Sequence, residues 1–367
     1  MEHRTWLAVV NEHAGKKTTE KWSSIHAKML SHGIRVDVKK TEAPGHAQKV
    51  TAHGLLNGYT GIIAAGGDGT LNEVVNGFWQ DGNLINPEAA LTFVNLGTGG
   101  DFARFVYPKE DAPTLQEDPL SNKTPADPVD RLLHGQLQAV DVGLAHFVSK
   151  GSEAQSRYFI NVANVGLGAE SAQRVNEQKI KHGSGTFSFL KGTLATLLKY
   201  KPQHLRIVID GNCKLNENIY GVMVCNGRYI GAGMMIAPQA QITDGLFDII
   251  VIRKMSLINL LSQFPKIYRG THLDIKGVEF WRGSQVEVDI PQKAFETTSD
   301  RDPAKSSRNS GSSGGGSGRS GGSRNTNLAA PPDQKIIVEL DGEILGFCPA
   351  SYTLLPQAMM LWLPGRY

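Results

Sequence analysis

The residues Gly66-Gly67-Asp68-Gly69-Thr70-Leu71-Asn72-Glu73-Val74-Val75-Asn76-Gly77 begin where an apolar run, Gly61 to Ala65, ends, and they lead straight into a helical pattern. Glycines at a helix N-terminus let backbone N–H groups approach an anion with no Cβ in the way, and the helix dipole adds attraction. That spacing reads as a phosphate site. It reads equally as a tight strand-to-helix turn with Asp68 and Thr70 as caps. The next apolar run, Leu91 to Leu96, repeats the arrangement by leading into Gly97-Thr98-Gly99-Gly100-Asp101-Phe102-Ala103-Arg104. Two adjacent strands ending in such loops would set Gly66 to Thr70 beside Gly97 and Thr98 at one sheet edge, forming a nucleotide cleft.

Phosphoryl transfer is largely positioning and charge neutralisation. It needs a phosphate cradle, Mg²⁺ held by oxygen ligands and a carboxylate near the attacking hydroxyl. Asp68, Asp101, Asp341 and Glu343 offer that carboxylate set. Asp341-Gly342-Glu343 is also a plausible β-turn by composition, and sequence leaves open whether Asp341 or Asp68 faces the acceptor. The eleven histidines show no metal-ligand spacing, and no Gly-x-Ser-x-Gly elbow is present for a serine hydrolase.

These residues need a scaffold, and the hydropathy pattern supplies one. Trp6 to Val10, Ile34 to Val38, Gly61 to Ala65 and Leu91 to Leu96 read as buried parallel strands, alternating with helical periodicity over Thr18 to Leu30, Ala47 to Leu56 and Leu71 to Phe78. The expected fold is a Rossmann-like α/β nucleotide-binding domain over 1–136, whose ligand sits at the carboxyl ends of the strands. Tyr107 to Pro128, rich in Pro, Asp and Glu, reads as a surface excursion. Strand-like runs then dominate: Leu137 to Val142, Tyr158 to Val165, Leu205 to Asp210, Tyr220 to Cys225, Leu246 to Ile252, Val278 to Trp281, Gln285 to Ile290 and Lys335 to Leu340. They predict a mainly antiparallel β-sandwich domain over 137–355. Its Gly/Ser insertion, 298–332, cannot bury enough apolar surface to offset ordering entropy.

The chain has 367 residues, 40% hydrophobic and 20% charged, with a net charge of +3. That is long enough for two domains and too polar for life inside a bilayer, and the longest apolar runs fall far short of the roughly 20 residues a spanning helix needs. The N-terminus lacks the apolar core of a secretory signal, so a soluble, cytoplasmic protein is expected. The three cysteines make no disulfide framework or metal motif, and the mild positive charge is too little for nucleic-acid binding.

With those blocks in place, the sequence resembles the diacylglycerol kinase catalytic family, which includes bacterial lipid kinases and sphingosine and ceramide kinases. Beside the two glycine loops, the resemblance rests on Phe159 to Gly166, Asn226-Gly227-Arg228-Tyr229 with Gly231-Ala232-Gly233, Ala237-Pro238 with Asp244 to Asp248, and Asp341-Gly342-Glu343. It implies an ATP-dependent lipid kinase, with diacylglycerol as default acceptor and phosphatidic acid as product. Gly66, Gly67, Asp68, Gly69, Thr70, Leu71 and Asn72 would surround the ATP phosphates, with Thr41, Gly97, Thr98 and Asp101 holding the nucleotide. Asp341 would be the general base, with Glu343 beside it and Asp68 as rival. A structural Mg²⁺ would sit on Asp244 and the carbonyls of Gln241 and Leu246, and the segment 356–367 would return to the first domain.

The chain departs from the family pattern at Gly100, where relatives usually carry Asn, at Gly168, where many carry an acid, and around Asn11. Two other readings stay open: a kinase of a soluble acceptor, because NAD kinases share a Gly-Gly-Asp-Gly loop, and a non-catalytic nucleotide- or lipid-binding regulator. A lipid kinase must visit a bilayer, so peripheral contact at the inner membrane surface is expected. Arg174 to Arg206, with Lys179, Lys181, Lys191, Lys199 and Lys201 among Phe187, Phe189, Leu190, Leu194 and Leu198, is the proposed membrane face; a solvated amphipathic helix is the other reading. Oligomeric state is not legible.

Overall fold

The computed structural model describes residues 4–12, 16–97, 100–107, 127–182, 196–231, 233–291 and 335–364, with side chains of 16–17 and 175–182 left out. The Gly/Ser insertion 298–332 and most of the excursion between Tyr107 and Pro128 lie outside those residues.

Strand and helix alternate through the first part: β1 (Trp6–Val10), α1 (Lys16–Ser31), β2 (Val36–Lys40), α2 (His46–Leu56), β3 (Gly61–Gly66), α3 (Asp68–Gly77), the short pair β4 (Trp79–Gln80) and β5 (Asn83–Leu84), β6 (Ala90–Asn95) and α4 (Asp101–Val106). The strands lie parallel in the order β2-β1-β3-β6. Every residue of β1 is buried because both sheet faces are covered. Leu7 and Val9 join Leu71, Val74 and Val75 in one core, while Trp6, Ala8 and Val10 join Trp22 and Met29 in the other. β2, at the edge, alternates instead, with Asp37, Lys39 and Lys40 outward.

The second part contains α5 (Pro128–His134), β7 (Gly135–Ser149), β8 (Ala154–Phe159), β9 (Val162–Gly166), α6 (Leu167–His182), β10 (Gln203–Ile209), β11 (Asn212–Cys225), β12 (Tyr229–Ile230) and β13 (Met234–Met235). After them come β14 (Phe247–Arg253), a helix at Leu257–Ile267, β15 (Val278–Gly283), β16 (Gln285–Asp289), β17 (Ile337–Leu340) and β18 (Glu343–Pro364). Its pairings are antiparallel, around a core of Ile207, Val222, Val224, Ile249, Val288, Val338 and Tyr352. The α/β part followed by an antiparallel β part is the fold expected from the pattern of runs.

Three features differ from the sequence pattern. The run Tyr158 to Val165 is two strands, because Ile160, Asn161 and Val162 turn their N–H groups to a carboxylate instead of a neighbouring strand. Ile34 precedes β2, since Gly33 (φ +75°) ends α1 and the Ile34 N–H bonds back to the Met29 carbonyl. The two parts also share one continuous sheet. β18 pairs with β7 along its length and, at Met360 and Leu361, runs parallel to Ala90 and Leu91 of β6. Trp362 secures that end, its indole N–H donating to the Leu132 carbonyl at 3.0 Å and its ring edge-on to Trp6.

Candidate active site

The two glycine loops meet. Gly66 pairs with Asn95, and the Leu96 N–H donates to the Gly66 carbonyl at 2.8 Å. A Cβ on Gly97 would lie 3.0 Å from the Gly67 Cα, and one on Gly66 would lie 2.4 Å from the Thr70 hydroxyl. Glycine is therefore dictated by contact between loops and between turn and helix. Gly67 is the N-cap of α3, whose first N–H groups have no partner within the helix. The Asp68 Oδ2 accepts from the Gly100 N–H at 2.8 Å and more weakly from the Asp101 N–H, so this carboxylate ties one loop to the other. Asn11, at the end of β1, donates through its amide to the Thr70 hydroxyl at 3.1 Å.

The cleft-facing residues are fewer than the motif. Gly67, Asp68, Gly69 and Gly97 are half-buried, whereas Thr70, Leu71 and Asn72 are buried. Leu71 sits in the core and its N–H bonds the Gly67 carbonyl within α3. Thr41 is buried at the end of β2, its N–H on the Val10 carbonyl; Asp101 is buried at the start of α4. Thr98 lies outside the described residues. Gly100 has φ +72°, and a Cβ there would fall 1.9 Å from the Asn95 amide nitrogen. Gly168 is similarly constrained, with the Asn164 amide oxygen 2.9 Å from where its Cβ would be.

The opposite wall comes from the β part and is tied to α3. Asn72 and Asn76, one turn apart on the buried face, both donate to the Tyr158 carbonyl, and the Tyr158 N–H returns to Asn76 Oδ1 at 3.0 Å. Trp79 stacks on Tyr158 at 4.1 Å. Glu73, also from the glycine motif, turns away to accept the N–H groups of Gly45 and Ala47 at the start of α2. Two polar residues four apart on a helix face otherwise bound for the core mark such a junction, since buried amides require partners.

Asp341 lies on that wall, buried, in the turn between β17 and β18 with φ +50°. Its Oδ2 accepts from the Asn72 amide at 2.8 Å and the Ile160 N–H at 3.0 Å; its Oδ1 accepts from the N–H groups of Asn161 and Val162, each at 3.0 Å. Four donors fill both oxygens. Burial raises the Asp341 pKa above the ordinary carboxylate range, against the pull of those bonds. Glu343, two residues on, is exposed and reaches the phosphate loop: its Oε1 lies 2.7 Å from the position of a Cβ on Gly69. Arg157 donates to Asn72 Oδ1 at 2.8 Å, and burial lowers its pKa while Glu73, Glu343 and Asp341 oppose that shift. An arginine keeps its charge under such shifts, so a cation stands beside the loop. Sequence reasoning missed Arg157, whose position in β8 carries no motif.

Glu339, in β17 two residues before Asp341, is buried, and burial pushes its carboxyl up to about 8. It accepts from the Gly342 N–H and from the Asn164 amide.

The expected metal site has a different occupant. Asp244 Oδ1 accepts the Leu246 N–H, and its Oδ2 is paired with the Arg282 guanidinium. Arg282 also donates to Asp248 at 3.0 Å. Both Asp244 oxygens carry N–H donors in the structure, and Gln241 is exposed beside them. Among the described residues, no group of three or more His, Cys, Asp or Glu is placed to hold one. Asp68 and Glu343, by contrast, are carboxylates bordering the phosphate loop and suit the magnesium that accompanies a nucleotide.

The chain is similar to known proteins over most of its length. The profile described as the Diacylglycerol kinase catalytic domain matches residues 5–145, and that of the YegS C-terminal NAD kinase beta sandwich-like domain matches 161–305. A protein of Bacillus subtilis named diacylglycerol kinase is 25% identical over 287 residues, covering 78% of this chain and 86% of that protein. A protein of Shewanella frigidimarina named as a YegS-like lipid kinase is 26% identical over 266 residues, covering 72% and 77%. A crystal structure of a diacylglycerol kinase from Bacillus anthracis superposes with a TM-score of 0.65 at 18% identity, covering 99% of this chain and 98% of that one.

Proposed function

This chain belongs to the diacylglycerol kinase catalytic-domain family and is a lipid kinase; from that premise we propose that it transfers the γ-phosphoryl group of ATP to the free hydroxyl of diacylglycerol, giving phosphatidic acid. One observation carries the reading: the Glu343 carboxylate of the β part lies against Gly69 of the phosphate loop.

ATP would place its phosphates over the N–H groups at the start of α3, between Gly66 to Gly69 and Gly97, with Thr41 toward the nucleoside. Magnesium bound there supplies charge neutralisation, with Asp68 and Glu343 as its bordering carboxylates. The lipid hydroxyl enters from the β side and forms the new O–P bond as the bond from the γ-phosphorus to its bridging oxygen breaks. Glu343 takes the hydroxyl proton and ADP leaves. Arg157 balances the negative charge developing between loop and turn. Asp341 acts through the turn: four N–H donors occupy its oxygens, so it fixes the backbone that aims Glu343 instead of receiving the proton itself.

The acceptor would come from a bilayer, so the protein would work peripherally at the inner membrane surface. The test is transfer from γ-labelled ATP to a panel of lipids in mixed micelles, with NAD as soluble control and Glu343→Gln alongside. Labelled phosphatidic acid from the wild type and none from the variant is the expected result. Labelling of NAD alone would move the acceptor to a soluble substrate, and no labelling of any acceptor would overturn the kinase reading.

A further inference from the structure

The helix Leu257–Ile267 has one face built for a core and one with no partner among the described residues. Leu260 is buried, and Leu257 and Leu261 pack with it against Leu167, Leu197 and Tyr220. Ser256 caps the helix, its hydroxyl accepting the Asn259 N–H. The outward residues are Ile258, Asn259, Ser262, Pro265 and Lys266. Ile258 is 79% exposed, the most exposed large apolar side chain among the described residues. Leu198 follows at no great distance in rank, 55% exposed, although its neighbour Leu197 is buried in the same cluster as Leu260. A single exposed isoleucine is ordinary; here two exposed apolar side chains stand on elements that share one small core.

Charge says what the patch meets. The segments 196–206 and 254–273 contain no Asp or Glu, and they expose Lys199, Lys201, Lys254, Lys266 and Arg269. Apolar side chains among unopposed cations fit an anionic lipid surface, where the apolar groups enter the interface and the cations meet headgroups. The position also suits the chemistry. The first residue of α6, Leu167, belongs to this cluster and directly follows β9, the strand that begins with the Val162 N–H on Asp341. At the other end of the helix, Tyr268 lies close enough to Asp101, at the nucleotide loop, to feel its charge.

We propose that Ile258 and Leu198, on the outward faces of the helix Leu257–Ile267 and of residues 196–199, form a membrane-docking surface that seats the acceptor side of the cleft on an anionic bilayer. This rests on the lipid-acceptor reading and moves the docking surface from the centre expected from sequence: residues 183–195 of that earlier element lie outside the described ones. The surface joins two elements far apart in the chain, which is why no local stretch displays it.

The experiment is flotation of the full chain with phosphatidylcholine vesicles, with and without phosphatidylglycerol. The variants are Ile258→Glu, at an exposed site that leaves the core untouched, and Lys199→Glu/Lys266→Glu. Wild type should float with the anionic vesicles, and each variant should lose roughly tenfold or more in partitioning, Ile258→Glu by replacing an apolar anchor with a negative charge and the lysine pair by charge reversal. In a parallel assay, Ile258→Glu should lower phosphorylation of long-chain diacylglycerol in vesicles while leaving a water-soluble short-chain diacylglycerol unaffected. Unchanged flotation of Ile258→Glu overturns the docking surface. So does a wild-type dimer in sedimentation that Ile258→Glu dissolves, which would give the patch to a second copy. Flotation that depends on Ile258 without phosphorylation of either lipid supports docking and instead defeats the lipid-acceptor reading.

Discussion

Asp341 and Asp244 are both acidic residues near turns of the β part, and the protein satisfies them in opposite ways. Asp341 receives only N–H groups: an amide from α3 and three consecutive backbone donors around Asn161. No full positive charge touches it directly. Arg157 stands one residue away, on the far side of Asn72. Asp244 is instead neutralised by the Arg282 guanidinium, shared with Asp248. The first arrangement keeps net negative charge beside the phosphate loop, where a metal-bound nucleotide can use it. The second supplies its own cation and leaves no role for a foreign one.

The largest effect should come from Glu343→Gln. Losing a positioned proton acceptor costs about a hundred- to ten-thousandfold in kcat, and the KM for ATP should rise as well because Glu343 also borders the magnesium. Asp341→Asn should behave differently. Its amide would point hydrogens at two of the four donors, leaving buried N–H groups unmatched at a cost of about 1–3 kcal/mol, so thermal stability falls along with activity. Equal stability in the two variants, with activity lost only in Asp341→Asn, would return the proton to Asp341. Asn72→Ala comes next, since it cuts the contact between the α/β and β walls and frees Arg157 from its acceptor. A fall in kcat and in melting temperature is expected, and melting curves of the two single variants against the Asn72→Ala/Asp341→Asn pair would show the coupling.

The phosphate loop was legible because its chemistry is local: glycines at a strand end, a helix start and their repetition one strand later are consecutive in sequence. The parallel direction of the strands was legible for the same reason, as β-branched runs alternate with helical periods. Asp341 and Glu343 could be named, but their division of labour could not, since three of the four donors on Asp341 are backbone groups that leave no side-chain trace. Arg282 was equally invisible. It reaches Asp244 from β15, and the pairing exists only because Asp248 lies opposite Arg282 across β14 and β15. The shared sheet follows from the 22-residue β18, which lies beyond the last strand-like run read from the sequence.

The contrast predicts where metal should matter for stability. Removing Arg282 strips the cation from two carboxylates, one of them the buried Asp248, held up at about 6 by burial. Arg282→Ala should therefore lower stability by about 1–3 kcal/mol, a value kept modest because Arg282 is itself partly exposed. Added Mg²⁺ should restore part of that loss, because Asp244 then becomes an available oxygen ligand. The wild type, followed by thermal unfolding without nucleotide, should melt alike in Mg²⁺ and in EDTA. A Mg²⁺-dependent rise in the wild type would break the distinction drawn between the two acidic regions.

The smallest effect on turnover belongs to Glu339, between the two regions in character: buried beneath the Asp341 turn, with neither a cation nor a full set of donors. Its folded pKa of about 8 lies above the ordinary value of 4.5, so the folded protein holds a proton that the unfolded chain releases between those two values. Stability from this group is therefore complete below pH 4.5 and declines as pH rises toward 8. Glu339→Gln, neutral throughout and able to donate to the Asn164 amide oxygen, should remove that slope. The measurement is chemical denaturation of wild type and variant at a series of pH values, with the gap between them widening toward pH 8 in favour of the variant. A constant gap would mean that Glu339 is charged in the folded protein across this range, and that the Asp341 turn tolerates a second negative charge directly below it.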